Sequence, residues 1–275
     1  MKNTKQPLAE VFGYPITDQS AEAKRYRKYR LCPFKNDVPN CTKDAATNPL
    51  GICSIYHENE VAITCPIRFR QDWIIVDNAA EFFFPTGTKW SSLANVEIDT
   101  PTGRSIENAD FVLVAYDDKG DIYDFGVLCV QAAYARGDLR ALFEFYMSHS
   151  IANQLTDWPN QFCYPRPDYL SSSQKQLVPD LLFKGGLFNS WKKKIAIALH
   201  KNFFETLPPL KEVKKEAAEI AWMIYDLKPD SGKLQLQKVD VVYTEFQSTL
   251  KAITEPASIR LKNFMNGLQE KFDAQ

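Results

Sequence analysis

The sequence predicts a mixed α+β fold, a sheet flanked by helices, preceded by a loop-rich N-terminal lobe that carries four cysteines. Three observations support this. Two β-rich runs, 109–116 and 123–134, are separated only by the turn DDKGD at 117–121, and a short Asp/Gly turn between such runs makes an antiparallel hairpin. A further pair of runs, AWMIYDLKPDSGKLQLQKVDVVYTEF, spans 221–246. Helical patterns bracket both pairs, and four of the six cysteines fall between positions 32 and 65. Helices packed on a mixed sheet follow from that order of elements.

Residues 19–30 (QSAEAKRYRKYR) read as a short helix with Ser20 as its N-cap. Five of the seven residues 24–30 are basic, with Tyr26 and Tyr29 interleaved. Such a run either grips phosphate or forms a solvated helix face. Residues 32–70 contain Pro33, Pro39, Pro49, Gly51 and Pro66, with too little apolar periodicity for an independent core. WIIV (73–76) and FFF (82–84) look like buried segments, and VEID (96–99) and a Pro-Thr-Gly turn lead into the first hairpin. DLRALFEFYMSHSIAN (138–153) reads as a helix, YPRPDYLSSS (164–173) as a loop, and FNSWKKKIAIALHKNFFET (188–206) as an amphipathic helix. The pattern from about 244 to 272 is helical, interrupted at Pro256.

Composition narrows the function classes. Hydrophobic residues make up 45% and charged residues 24% of 275, and Gly plus Pro total 27, which excludes collagen-like and low-complexity classes. No apolar run approaches the roughly 18 residues of a spanning helix, so no membrane association is expected. MKNTKQPLAEVFGYP lacks the apolar region of a secretory signal, and the expected location is cytoplasmic. The net charge of −1 hides an uneven distribution: +4 over 1–70, −8 over 71–146 and +3 over 147–275. Because fields act within roughly 8–10 Å, an acidic centre between basic flanks suits a metal-dependent enzyme on an anionic substrate, though charge alone does not select one.

Cys32, Cys41, Cys53 and Cys65 are separated by 8, 11 and 11 residues. Disulfides do not persist in a reducing cytosol, so clustered thiols point to a metal. No close Cys-x-x-Cys pair is present, and four unrelated buried thiols are the alternative; a loop-rich segment that needs a staple favours the metal. Cys163 and His57 read as structural.

Asp110 opens one strand of the first hairpin, and Cys129 and Gln131 lie two residues apart on the other, hence on one face. An Asp beside an acidic-x-Lys pair on the next strand is the layout of the PD-(D/E)XK nuclease core, where carboxylates hold Mg²⁺ and the metal lowers the pKa of the attacking water. Here the pair reads Cys-Val-Gln.

In its ordered motifs the chain resembles the NotI-like type II restriction endonucleases. The resemblance runs from AEVFGY (9–14) through CPF (32–34), Cys41, Thr42-Lys43, GICS (51–54) and CPIR (65–68) to NADFVLVAY (108–116) and FGVLCVQA (125–132). It returns at WKKKIAIAL (191–199) and AWMIYDL (221–227). It implies a homodimeric, Mg²⁺-dependent enzyme of the prokaryotic cytoplasm that cleaves double-stranded DNA at a GC-rich palindrome. Residues 1–72 would form a DNA-contacting lobe built on iron or zinc, and 73–275 the nuclease core with its C-terminal hairpin and helices. By the same resemblance Cys32, Cys41, Cys53 and Cys65 are the structural metal ligands, Asp110 binds the catalytic metal, Gln131 stands where a Lys is usual, and Glu97 is an additional upstream acid.

Position 129 is the departure, because the family has Glu there. A thiol is a poor ligand for Mg²⁺, which prefers hard oxygen donors, and Asp124, five residues away, faces the other side of the strand. Either another acid substitutes, or the chain is a catalytically impaired DNA-binding homologue or active-site variant. A third reading makes Cys129 a nucleophile with His149 or His200 as base, but a strand-borne thiol far from a helix N-terminus lacks evident activation. Lys192, Lys193 and Lys194 are candidate phosphate contacts or simply a wet helix face. Arg68 and Arg70 are candidate guanine contacts, since Arg is bidentate to O6 and N7.

Overall fold

The computed structural model describes residues 6–35, 38–57, 60–99, 105–154, 156, 164–255 and 261–273. Cys163, the turn at 101–103 and Pro256 lie outside the described residues. The N-terminal segment folds into a small antiparallel sheet of β1 (Leu8–Val11), β2 (Tyr14–Pro15), β3 (Ile52–His57) and β4 (Glu60–Ile63), in the order β2-β1-β3-β4. Between β2 and β3 lies α1 (Ala21–Tyr29), started as expected by Ser20, whose hydroxyl accepts from the Ala23 amide at 3.1 Å. Its basic run is not uniformly solvated. Arg27 is buried, donating to the carbonyls of Asp18 and Pro15 at 2.6 Å each.

Past a 3₁₀ segment (Pro66–Trp73), the apolar runs WIIV and FFF form the two ends of α2 (Ile74–Phe83), with Trp73 and Phe84 as its flanking cap residues. A meander follows: β5 (Trp90–Asp99), β6 (Ser105–Tyr116) and β7 (Ile122–Gln131). The β6–β7 turn is set by Asp117, whose carboxylate accepts from the amides of Lys119 and Asp121 at 2.9 and 3.0 Å. Then come β8 (Tyr134–Arg136), α3 (Leu139–Ser148), capped by Asp138, and β9 (Arg166–Asp168). A helical stretch spans 169–190, in which α-helical turns alternate with π turns at Ser173–Leu177 and Leu181–Gly185. The chain continues with β10 (Ile195–His200), β11 (Ile220–Asp230) and β12 (Lys233–Thr244), and closes with helices Phe246–Thr254 and Leu261–Asp273.

The six-stranded central sheet runs β12-β11-β10-β7-β6-β5. β10 is parallel to both neighbours, β7 and β11, and the remaining pairs are antiparallel, so the sheet is mixed as the sequence predicted. Three elements differ from the expectation, one of them β9, which lies inside the segment 164–173 read as loop. Residues 195–200, read as the middle of an amphipathic helix, form the central strand β10, with all six residues buried. A strand covered on both faces loses its alternation and shows a continuous apolar run, which periodicity alone cannot distinguish from a helix. Residues 169–173, read as loop, begin the helical stretch, where the Asp168 carboxylate caps the Ser171 amide at 3.1 Å.

One face of the sheet packs Phe111, Leu113, Leu128, Val130 and Met223 against α2, and Ile63 and Phe69 of the N-terminal segment join this core. Gly126 permits the close approach, since a Cβ there would meet the Phe83 ring at 2.3 Å. The other face packs Val127, Cys129, Ile197 and Trp222 against Leu177, Leu181 and Phe188 of the helical stretch. Among the described residues no helix is long and apolar enough to cross a membrane.

Arg68 needs correction as a guanine contact. It is 0% exposed, and its Nε donates to the Glu10 carboxylate at 2.9 Å. The other guanidinium nitrogens donate to Gln71 Oε1 at 2.6 Å and to the Leu234 carbonyl at 2.7 Å, and Ser54 donates to Glu10 at 2.7 Å. A guanidinium this fully engaged joins β1, β3, the 3₁₀ segment and β12 and is not presented to solvent. Removing one partner of such a pair leaves a buried charge uncompensated, so Arg68→Ala is expected to cost about 3–5 kcal/mol in chemical denaturation. A loss below about 1 kcal/mol would show that the pair does not hold the lobe.

Candidate active site

The β6–β7 hairpin and the helical stretch together assemble a buried polar group in an otherwise apolar layer. Asp110 is half-buried near the middle of β6, and its Oδ2 accepts from the Val130 amide of β7 at 2.8 Å. Cys129 and Gln131 lie on β7 opposite Ile197 and Leu199 of β10, both buried and sharing a face as the i, i+2 spacing requires. Over them lies the helical stretch, which contributes Asp180 and Lys184. Gln131 Nε2 donates to Asp180 Oδ2 at 2.8 Å, and Lys184 Nζ lies 2.9 Å from Asp180 Oδ1. Cys129, Gln131, Asp180 and Lys184 line a common cavity of about 10 Å³.

Charge and burial set the protonation states. Burial pushes the Asp110 carboxyl above its ordinary range; the Val130 amide and the Lys184 ammonium pull it back, the Asp180 charge raises it, and Arg70 lowers it. Burial raises the Cys129 thiol strongly, and the negative charges of Asp110 and Asp180 raise it further. This is the reverse of an activated thiol. The proposed bases are committed elsewhere or exposed. His200 is buried with Nε2 at 3.2 Å from Asp226, while its Nδ1 accepts from the Asn202 amide at 3.3 Å. The His149 ring is exposed and lies 3.4 Å from the neighbouring Ser148 hydroxyl.

The other expected residues are dispersed. Glu97 pairs with Asn108 across β5–β6, is exposed, and stands outside the buried group. Arg70 is half-buried, its guanidinium 4.8 Å over the Phe111 ring, and adds positive charge next to Asp110. The three lysines sit on the turn into β10 rather than on a helix. Lys192 is exposed, Lys193 pairs with Asp124 at 2.6 Å, and Lys194 donates to the Phe82 carbonyl at 3.2 Å. Sequence reading missed Asp180 and Lys184, because an i, i+4 Asp/Lys pair looks like an ordinary helix-surface pair.

Cys32, Cys41, Cys53 and Cys65 all line one cavity of about 20 Å³ in the N-terminal segment, and all four are buried. Burial raises the Cys32 thiol to about 12, raises Cys41 and pushes Cys53 well above the usual value, with the neighbouring cysteines adding to each shift. Lys43 holds the loop in place, donating to the carbonyls of Ile52 and Thr64 at 2.7 and 3.0 Å. Among the described residues, no three His, Cys, Asp or Glu side chains stand in an arrangement that could hold a metal ion. The four cysteines therefore converge on one cavity without forming a ligand shell.

The chain thus sets a sheet-borne Asp beside an x-Gln strand in a mixed sheet covered by helices on both faces. A family model for the restriction endonuclease NotI matches residues 10–237, most of the chain, and the chain belongs to that family. Membership implies a restriction nuclease acting on double-stranded DNA. No curated protein matches the chain.

The neutral, buried state of Cys129 has a direct chemical consequence. In the folded protein at about pH 7 it is expected to resist iodoacetamide over the time that labels an exposed thiol fully, and to react once guanidinium unfolds the chain. Peptide mass spectrometry reads both, and rapid native-state labelling would restore the nucleophile reading.

Proposed function

We propose that the chain is a type II restriction endonuclease that cleaves double-stranded DNA at a GC-rich palindrome, in a Mg²⁺-dependent reaction, as a cytoplasmic homodimer. The observation that carries this reading is the position of Asp110, held by the Val130 amide beside the residues at 129 and 131 of the paired strand. Asp110 and the Gln131 amide oxygen are hard donors that suit Mg²⁺, and the Cys129 sulfur does not. Bound there, the ion would lower the pKa of the attacking water and offset charge on the scissile phosphate.

The protein's own groups prepare this chemistry. The Val130 amide fixes the Asp110 carboxylate and favours its charged form. Arg70 and Lys184 supply positive potential that favours a phosphate at the site. Exposed Lys192 is available for sequence-independent phosphate contact, and Glu97 on β5 is the candidate additional acid.

The N-terminal segment is proposed to hold one iron or zinc ion through Cys32, Cys41, Cys53 and Cys65. Thiolates are soft donors that suit either metal, and the four cysteines that line one cavity would have to close up from their present arrangement to hold it. A cation would also reverse the preference of these buried thiols for the protonated form. The metal would stabilise the lobe and its basic helix rather than take part in hydrolysis.

The second reading, a DNA-binding homologue with impaired cleavage, is favoured by the neutral Cys129. GC-rich plasmid with Mg²⁺, tested against the natural chain and Cys129→Glu, separates the two. Discrete fragments from the natural chain support the first reading, fragments from Cys129→Glu alone the second, and fragments from neither would argue against a working core. Asp110→Ala is expected to abolish cleavage, by about 10²-fold or more, and to leave DNA binding intact; retained cleavage would remove Asp110 from the core. Elemental analysis is expected to find one metal equivalent per natural chain and to lose it in Cys41→Ala; a natural chain without metal, or unchanged metal content in the variant, would refute the four-cysteine site.

A further inference from the structure

We propose that Asp180 of the helical stretch supplies the carboxylate that position 129 lacks, so that Asp110 and Asp180 form the divalent-cation pair and Cys129 takes no part in binding. The inference rests on the nuclease reading only for the identity of Asp110 as the first acid.

Geometry places Asp180 in the right layer. Its carboxylate is bonded to Gln131, the third position of the hairpin motif, at 2.8 Å and to Lys184 at 2.9 Å. An independent sign of a missing ligand is Gln131 itself. The residue is 0% exposed and lines the cavity with Asp180, and its Oε1 has no hydrogen-bond partner among the described residues. A buried carbonyl oxygen without a donor is costly, and on a side chain bonded to the Asp180 carboxylate it is the type of neutral oxygen that completes a hard-cation site. Sulfur at 129 adds nothing to such a donor set. Asp180 follows Pro179, which cannot donate an amide, and lies between the two π turns. Such local departures from regular helix recur at functional sites because they re-aim side chains. Lys184 then has a definite role: its ammonium balances Asp180 while no cation is bound, and competes with a cation for the same carboxylate.

Mn²⁺ binding to the full chain without DNA, followed by water-proton relaxation, tests this. Asp110→Asn and Asp180→Asn should each weaken Mn²⁺ binding by about tenfold or more, and Cys129→Ser should leave it within about twofold. Lys184→Gln should tighten binding, because it removes the competing charge; a purely structural ion pair predicts no gain. The proposal is overturned if Asp180→Asn binds like the natural chain, if Cys129→Ser loses as much as Asp110→Asn, or if the natural chain binds no Mn²⁺. Should Asp180→Asn fail to fold by near-ultraviolet circular dichroism, the sign of the Lys184→Gln effect decides, and unchanged or weaker binding overturns the proposal. Plasmid cleavage is scored separately: Mn²⁺ bound through Asp180 with no DNA cut would sink the nuclease reading and leave the cation pair standing.

Discussion

A strand that runs parallel to both neighbours must be covered on both faces, and β10 imposes that requirement on the whole molecule. All six of its residues are buried. Parallel connections need crossovers, so the chain between β7 and β10 has to cross the sheet and return, and the helical stretch at 169–190 lies in that crossover. On the opposite face α2 and the end of the N-terminal segment close the second layer, with Gly126 allowing Phe83 to reach the sheet. Once both faces are sealed, every polar side chain on the middle strands must find its partner inside the protein. Cys129 and Gln131 are buried for that reason, and the group around Asp110 is a consequence of it.

Charges drawn into such layers survive only when paired and hydrogen-bonded. Asp180 is met by Lys184 and Gln131, and Glu10 by Arg68 and Ser54. Asp226 is met by His200, Lys201 and Lys228; burial alone would raise its carboxyl, but these donors together hold it well below the usual range. Each knot joins parts of the chain that are distant in sequence. Lys201 extends the third to Glu60 of β4 at 2.7 Å, so a cation next to the central strand also ties down the N-terminal sheet. The cysteine segment is therefore anchored to the central sheet by the Lys201–Glu60 ion pair as well as by Ile63 and Phe69 on the α2 side.

What was legible in the sequence was what local chemistry dictates. Ser20 and its helix, the Asp117 turn with its hairpin, and the 221–246 hairpin all carry their own turn or cap residues, so their signals survive without knowledge of the fold. β10 was hidden because two-sided burial erases alternation, and the Lys run before it lent the segment a false helical amphipathicity. The helical stretch was hidden by its serines and Pro179, which resemble loop composition. Arg68 was misplaced because sequence does not reveal that Glu10, 58 positions earlier, lies beside its guanidinium. The convergence of the four cysteines was legible because they are close in the chain; the partnership of Gln131 with Asp180, 49 positions apart, was not.

Cys129 can be understood from the same electrostatics. An acid at this position would place a third carboxylate beside Asp110 and Asp180, with Lys184 the ammonium in contact with the group. Like charges in a low-dielectric layer raise one another's pKa and oppose burial, so a Glu at 129 would be tolerated in the folded state mainly through a bound cation. A neutral thiol removes that repulsion and fills the space with a small apolar group. Set against the Glu that the family resemblance implies at this position, Cys129 would shift the balance between stability and cation affinity toward stability, in the manner general for functional sites that hold unfavourable charge. In the proposed nuclease, cleavage would depend on how much of that attraction the remaining oxygens around Asp110 restore.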